Sequence, residues 1–243
     1  MKPIFRSILA SCLLLALAAC SSTGRRGAAS AIAVQPVVAA PDPAAAEVPG
    51  ADSRSRADQL LAEGDRLQEQ GRCRDALQHY GMAALESGPG QARALASIYL
   101  CHWQLQRPRA AEEGFTLWLR HELDQGRLRL RLLFQPGESR YLADARISAP
   151  YAAWLRRVAD ATQAGSHCLV LHGHAGPSAL ERHATGLALR RAQMVQRQLE
   201  ALAPALKGRI SSSAADGEAV IGSASDDLRD ALDRRVEFAI GAC

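Results

Sequence analysis

The chain has 243 residues, 48% hydrophobic and 22% charged, with 29 basic against 25 acidic side chains and a formal charge of +4. A balance this even excludes nucleic acid or another polyanion held by bulk charge. Lysine stands only at positions 2 and 207, so nearly all the cations are arginine, the side chain suited to bidentate recognition of carboxylates.

Lys2 and Arg6 precede a largely apolar run from Ile8 to Leu17, which Leu17-Ala18-Ala19-Cys20 closes with small residues before a cysteine. Crossing a bilayer takes about 20 apolar residues, so residues 1–19 read as a signal peptide rather than a membrane helix. The closing segment resembles the lipobox of bacterial lipoproteins. That resemblance implies cleavage before Cys20, a diacylglycerol on its sulfur, and a mature charge of +2 once Lys2 and Arg6 are gone. Ser21 follows the cysteine, which by analogy favours the outer membrane and makes its lipid a partner through Cys20. Residues 20–55 are mostly Ala, Pro, Gly, Ser and Val, with Pro36, Pro41, Pro43 and Pro49 and no helical or strand period. They read as a disordered tether able to span about 100 Å when drawn out.

From Arg56 to about Gln125 the pattern is helical. Leu60, Gly64, Leu67, Gly71, Ala76, Tyr80 and Ala83 recur as in two antiparallel helices, with small residues where the helices cross. A weaker copy follows in Leu95, Ile98, Tyr99, Ala111, Phe115 and Trp118, with Pro108 at its turn. The spacing resembles a tetratricopeptide repeat of 34 residues, and it also fits a four-helix amphipathic bundle. Two repeats fall short of the three usually needed for independent stability. The helices are therefore expected to pack on the next domain or on an envelope protein partner.

From Leu128 the period changes. Leu128-Arg129-Leu130-Arg131-Leu132 alternates as a half-buried strand does. Ile147 to Ala164 follows as an amphipathic helix, Cys168 to His174 as a buried strand, and Ser178 to about Leu202 as a long helix. Arg209-Ile210-Ser211 begins a third strand, Asp226 to Asp233 a short helix, and Val236 to Ile240 a last strand. Residues 126–243 are thus expected to form a βαβαβ(α)β α/β sandwich, preceded by an all-α region over 56–125.

Four segments, Phe134-Gln135-Pro136-Gly137, Gly173-His174, the run Arg190-Arg191-Ala192-Gln193-Met194-Val195 and Arg234-Arg235-Val236, resemble the OmpA-like C-terminal domain. That domain is the peptidoglycan-binding module of outer-membrane proteins and peptidoglycan-associated lipoproteins. The resemblance runs from about Leu128 to Ala239 and needs no gap between Gly173 and Arg191. It implies a stem-peptide ligand whose diaminopimelate is clamped by an aspartate at the strand end and an arginine on the following helix. A zwitterion requires one fixed anion and one bidentate cation. Arg191 stands at the arginine position and His174 in the strand-end turn, but Gly176 occupies the aspartate position. Ala184, Ala188 and Asp233 stand where the family has asparagine, serine and asparagine. Losing one partner of a charge-assisted pair costs about 1.5–3 kcal/mol, or about tenfold and more in affinity. Diaminopimelate recognition is therefore expected to be weakened or altered, unless Glu181, Asp226 or Asp227 supplies the anion. The alternative is a scaffold lipoprotein of an envelope machine, with the helices and a degenerate OmpA-like domain making protein contacts. Arg234 and Arg235 are expected to pair with acids of the preceding helix or the edge strand.

Cys12 leaves with the signal and Cys20 is acylated, so Cys73, Cys101, Cys168 and Cys243 remain for disulfides, with three pairings open. In a repeat hairpin the start of the second helix lies beside the finish of the third, which favours Cys73–Cys101. If the strands carrying Cys168 and Cys243 are antiparallel neighbours, start meets finish and Cys168–Cys243 follows. His167, His172, His174 and His183 cluster in sequence, but the family histidine at His174 gives a structural reason for one of them, and no metal is expected. No GxSxG elbow, P-loop, HExxH or paired catalytic carboxylates occur, and Gly88-Pro89-Gly90 reads as a turn, so neither enzymatic activity nor a cofactor is expected.

Overall fold

The computed structural model describes residues 51–215 and 219–243. The signal peptide, Cys20 and the tether up to residue 50 lie outside the described residues. Helix α1, Ala51–Glu69, begins five residues before the expected helical start at Arg56, directly after the Pro49-Gly50 pair that is the last helix-breaking signal in that stretch. Three more helices follow: α2 Cys73–Leu85, α3 Gln91–Gln104 and α4 Pro108–Asp124, the last with proline at its first position, where a missing N–H costs nothing. Each helix packs on the next. The close approach of α1 and α2 depends on Gly64, because a Cβ there would lie 2.5 Å from the Tyr80 ring. Tyr80 is fully buried, and its hydroxyl sits 2.8 Å from both the Asp65 carboxylate and the Gln68 amide oxygen. Burial raises its pKa, as do the hydrogen bond and charge of Asp65. Leu61 is buried, whereas Leu60, the residue expected inside, is only partly so.

The second half runs β1 Arg131–Leu133, α5 Ala145–Ser148, α6 Tyr151–Ala164, β2 Cys168–Gly173, α7 Ala179–His183, α8 Leu187–Leu202, β3 Ile210–Ala214, a 3-10 turn over Leu228–Asp233, and β4 Arg235–Gly241. The four strands form one sheet in the order β1-β4-β2-β3. Only β2 and β3 are parallel, joined by the crossover through α8. This is the expected α/β sandwich with its expected element order. Three boundaries differ from expectation. Leu128 and Leu130 are buried as the alternation requires, but pairing with β4 begins only at Arg131. The helix expected over Ile147–Ala164 divides at Pro150, which lacks the N–H needed to continue it. The helix expected from Ser178 to Leu202 divides at Gly186, whose φ of 66° is outside helical space, leaving the short α7 ahead of α8.

The two halves share one core. Phe115 stacks on Trp154 with ring centroids 5.5 Å apart, and the Trp154 indole N–H donates to the Tyr99 hydroxyl at 3.1 Å. The buried apolar cluster continues without a break from Tyr99 and Trp118 on the helices to Leu171, Leu199 and Phe238 under the sheet. At the joint the buried Glu122 on α4 accepts hydrogen bonds from the Arg129 backbone and guanidinium, fixing the entry to β1.

Candidate functional site

Gly173 sets the spacing between β2 and α8: a Cβ there would lie 1.9 Å from the Ala188 carbonyl oxygen. Glycine lets the strand end touch the helix backbone, and the next turn of α8 carries Arg191 to the same end of the sheet. Its side chain is fully buried. Nε donates to the Glu138 carbonyl at 2.9 Å, Nη1 to the His174 carbonyl at 2.9 Å, and Nη2 to the Gln135 carbonyl at 2.9 Å. The two remaining N–H groups form a bidentate pair with Glu181, at 2.6 Å to Oε2 and 2.8 Å to Oε1. A guanidinium has five N–H donors, and all five of these end on acceptors of the same chain. The Phe134 ring lies 5.4 Å from the guanidinium carbon, within cation–π range.

Glu181 is equally enclosed. Besides Arg191, its Oε1 accepts from the Gly137 backbone N–H at 2.5 Å and its Oε2 from the Gly176 N–H at 3.1 Å. Four donors from three separate segments therefore converge on one carboxylate. A Cβ at Gly176 would meet Asp233 Cβ at 3.4 Å, Arg234 Cγ at 3.6 Å and Glu181 Cγ at 3.7 Å. The position that carries an aspartate in the resembling family is thus filled from one side by Glu181, five residues further along. Of the three acids considered, Glu181 is the one that reaches Arg191. Arg191 is not the solvent-facing cation expected of a stem-peptide clamp, because its charge is already paired internally.

His174 contributes mainly through its backbone, its carbonyl facing Arg191 and its N–H donating to the Arg235 carbonyl at 2.8 Å. Its ring is buried, with Nε2 3.7 Å from Glu237 Oε2. His174, together with the guanidiniums of Arg235 and Arg131, holds the Glu237 carboxyl well below the usual carboxylate range. Arg235 pairs with Glu237 on its own strand, an inner strand of the sheet, instead of with an acid of the preceding turn or the edge. Arg234 donates to the carbonyls of Phe134, Ser225, Asp226 and Asp227, so Asp226 and Asp227 meet it through their backbones. Asp233 accepts from the backbone N–H groups of Val220, Ile221 and Gly222, and Asp230 from Ser223 and the Ser225 N–H. These two acids hold the loop ahead of the 3-10 turn, a role that a sequence position alone does not disclose.

His172 Nδ1 lies 2.8 Å from Ser213 Oγ on the neighbouring strand, and His183 is exposed on α7. Among the described residues no three His, Cys, Asp or Glu side chains are placed to hold a metal ion. The structure pairs Cys73 with Cys101 and Cys168 with Cys243. Cys168 faces Gly241 across the antiparallel β2/β4 ladder, which brings Cys243 within bonding reach. Among the described residues no helix is long and apolar enough to cross a membrane.

No protein-family model matches the chain, and no curated protein sequence does. Among solved structures, the chain is similar to the peptidoglycan-associated lipoprotein from Burkholderia pseudomallei, with a TM-score of 0.38 and 16% identity over 46% of this chain and 89% of that one. It is also similar to the periplasmic domain of Helicobacter pylori MotB, with a TM-score of 0.35 and 17% identity over 46% of this chain and 70% of that one.

Proposed function

We propose that the protein is a non-catalytic, lipid-anchored periplasmic binding protein joining the outer membrane, through Cys20, to the cell wall, with its recognition of diaminopimelate weakened. The observation that carries this reading is the buried Arg191–Glu181 pair. Three of the four segments that carry the family resemblance meet at Arg191, through the Gln135 and His174 carbonyls, yet both its charge and all its donors are taken up inside the chain. An external stem-peptide carboxylate has to displace Glu181, and the accompanying ammonium finds no acid at Gly176. Sedimentation with purified sacculi tests this. Weak retention of the full chain, strengthened by the double variant Glu181→Ala, Gly176→Asp, supports the reading. Retention as strong as that of the double variant, or none for either protein, overturns it.

A second reading is favoured by the shared core of the two halves. Helices and sheet then act as one rigid scaffold for an envelope protein partner, with the tetratricopeptide-like hairpins as the contact surface. Sacculus retention that is absent and insensitive to every substitution at 176 and 181 selects this reading over the first.

A further inference from the structure

Helix α7 is held in an unusual way. Of its five residues only Glu181 is buried, while Ala179, Leu180, Arg182 and His183 are exposed. It therefore has no apolar face in the core, and Leu180 is 55% exposed. It is bounded by Pro177 on one side and by Gly186, at φ 66°, on the other, so neither α8 nor β2 continues into it. The Ser178 side chain caps its start by accepting from the Glu181 N–H. The one buried side chain of α7 is a carboxylate, received by two N–H groups of Arg191 and the backbone N–H groups of Gly137 and Gly176, while Leu180 rests beside Gly137.

We propose that Arg191, Gly137 and Gly176 form a carboxylate receptor, that Glu181 is its resident ligand, and that α7 is the gate that carries this ligand in and out. This deepens the reading above, on which it rests for the identity of the natural ligand but not for the chemistry of the receptor. Three of the four donors lie on the body of the domain, in the loop after β1 and on helix α8, and the fourth, the Gly176 N–H, lies in the turn between β2 and α7. None of them lies on α7. Swinging α7 outward about Pro177 therefore leaves the Arg191 and Gly137 donors in place while removing the acceptor, and an external carboxylate of similar shape then meets them together with the Gly176 N–H at the hinge. Because the resident ligand is intramolecular, it competes at high effective concentration, and the apparent affinity for an outside carboxylate falls by the fraction of molecules with the gate open. Truncating Glu181 removes the competitor and raises that affinity by about tenfold or more.

Chemical rescue by acetate provides the test, on the full chain in detergent. The Glu181→Ala variant should gain thermal stability with sodium acetate beyond that given by sodium chloride at equal ionic strength, in a saturable way, while the parent gains none. In nitrogen-15 spectra of the variant the Gly137 and Gly176 amide resonances should shift with the same saturation. A folded Glu181→Ala protein that responds identically to both salts overturns the receptor. Native-state hydrogen exchange of the unsubstituted chain tests the gate without any variant. The α7 amides and those of Gly137 and Gly176 should exchange through a local opening, well ahead of the α8 amides. Exchange of α7 only at the rate of global unfolding overturns the gate. Failure of sacculus binding changes neither result, so the two proposals fail separately.

Discussion

Replacing Glu181 by alanine breaks the buried ion pair at the end of the sheet from one side. The carboxylate is fully buried, and it neutralises a guanidinium that is itself fully buried. Its removal deletes four hydrogen bonds and leaves the Arg191 charge surrounded by three carbonyls and an aromatic ring. Breaking a buried pair from one side costs about 3–5 kcal/mol, because the surviving charge stays desolvated. Against a total stability of about 5–15 kcal/mol that is a large fraction, and it corresponds to a fall in Tm of about 6–20 °C for a protein of this size. Urea denaturation followed by far-ultraviolet circular dichroism reads the loss directly. A cycle with Arg191→Met isolates the pair: the double variant should be less destabilised than the two single losses added, since removing both charges leaves no orphan. A Glu181→Ala cost under about 1 kcal/mol, or strict additivity in the cycle, refutes the buried pair as the fastener of this site.

The remaining predictions concern other parts of the fold. Glu237 has a depressed pKa in the folded state, so its stabilisation is complete above the unfolded carboxyl value of about 4.3 and fades as pH falls below it. Glu237→Gln should thus be less stable than the parent at pH 7, with the gap closing progressively below about pH 4; a gap unchanged down to acid pH contradicts the assignment. Trp154→Ala should cost about 3–5 kcal/mol, and because the helices and the sheet share a core, circular dichroism and tryptophan fluorescence should still report one transition; separate transitions would show two independent cores. Serine at both Cys168 and Cys243, which are 75 residues apart, should cost about 4.5 kcal/mol on the loop-entropy account, and the same change at Cys73 and Cys101, 28 residues apart, about 3.6 kcal/mol. Non-reducing peptide mapping checks the pairing itself, and a Cys73–Cys168 peptide would overturn it.

Much of the fold is legible because its signals are local. Alternation at Leu128–Leu132, helical spacing at Trp154, Leu155 and Val158, and the apolar run at Cys168–Gly173 each report burial on one side of a single element. The helix break at Gly186 was not legible, since the residues around it keep helical spacing and only the left-handed φ ends the run. The site was half legible. Arg191, His174 and Gly176 stand where the resemblance puts them, and the structure gathers them at one end of the sheet. The sequence offered three acids for the missing anion and no way to choose among them. Glu181 reaches Arg191 because α7 is a separate short helix, so the same break that hid the helix boundary hid the ion pair. Asp230, and the loop-holding role of Asp233, were not legible for a related reason: their partners include backbone N–H groups of a loop, which no residue pattern encodes. The shared core across positions 125 and 126 is one of the two packings expected of two lone repeats, but the contacts that build it were not legible, because stacking of Phe115 on Trp154 is a long-range contact between two individually ordinary helices.

In the folded chain the Arg191 guanidinium is closed off by the chain's own Glu181 carboxylate. Calorimetric titration of a diaminopimelate-containing tripeptide into the full chain and into the Glu181→Ala, Gly176→Asp variant tests it most directly. Weak binding to the former is expected, and saturable binding, about tenfold or more tighter, to the latter. Equal affinity for both proteins would mean that Glu181 does not stand between Arg191 and the ligand, and would contradict the account.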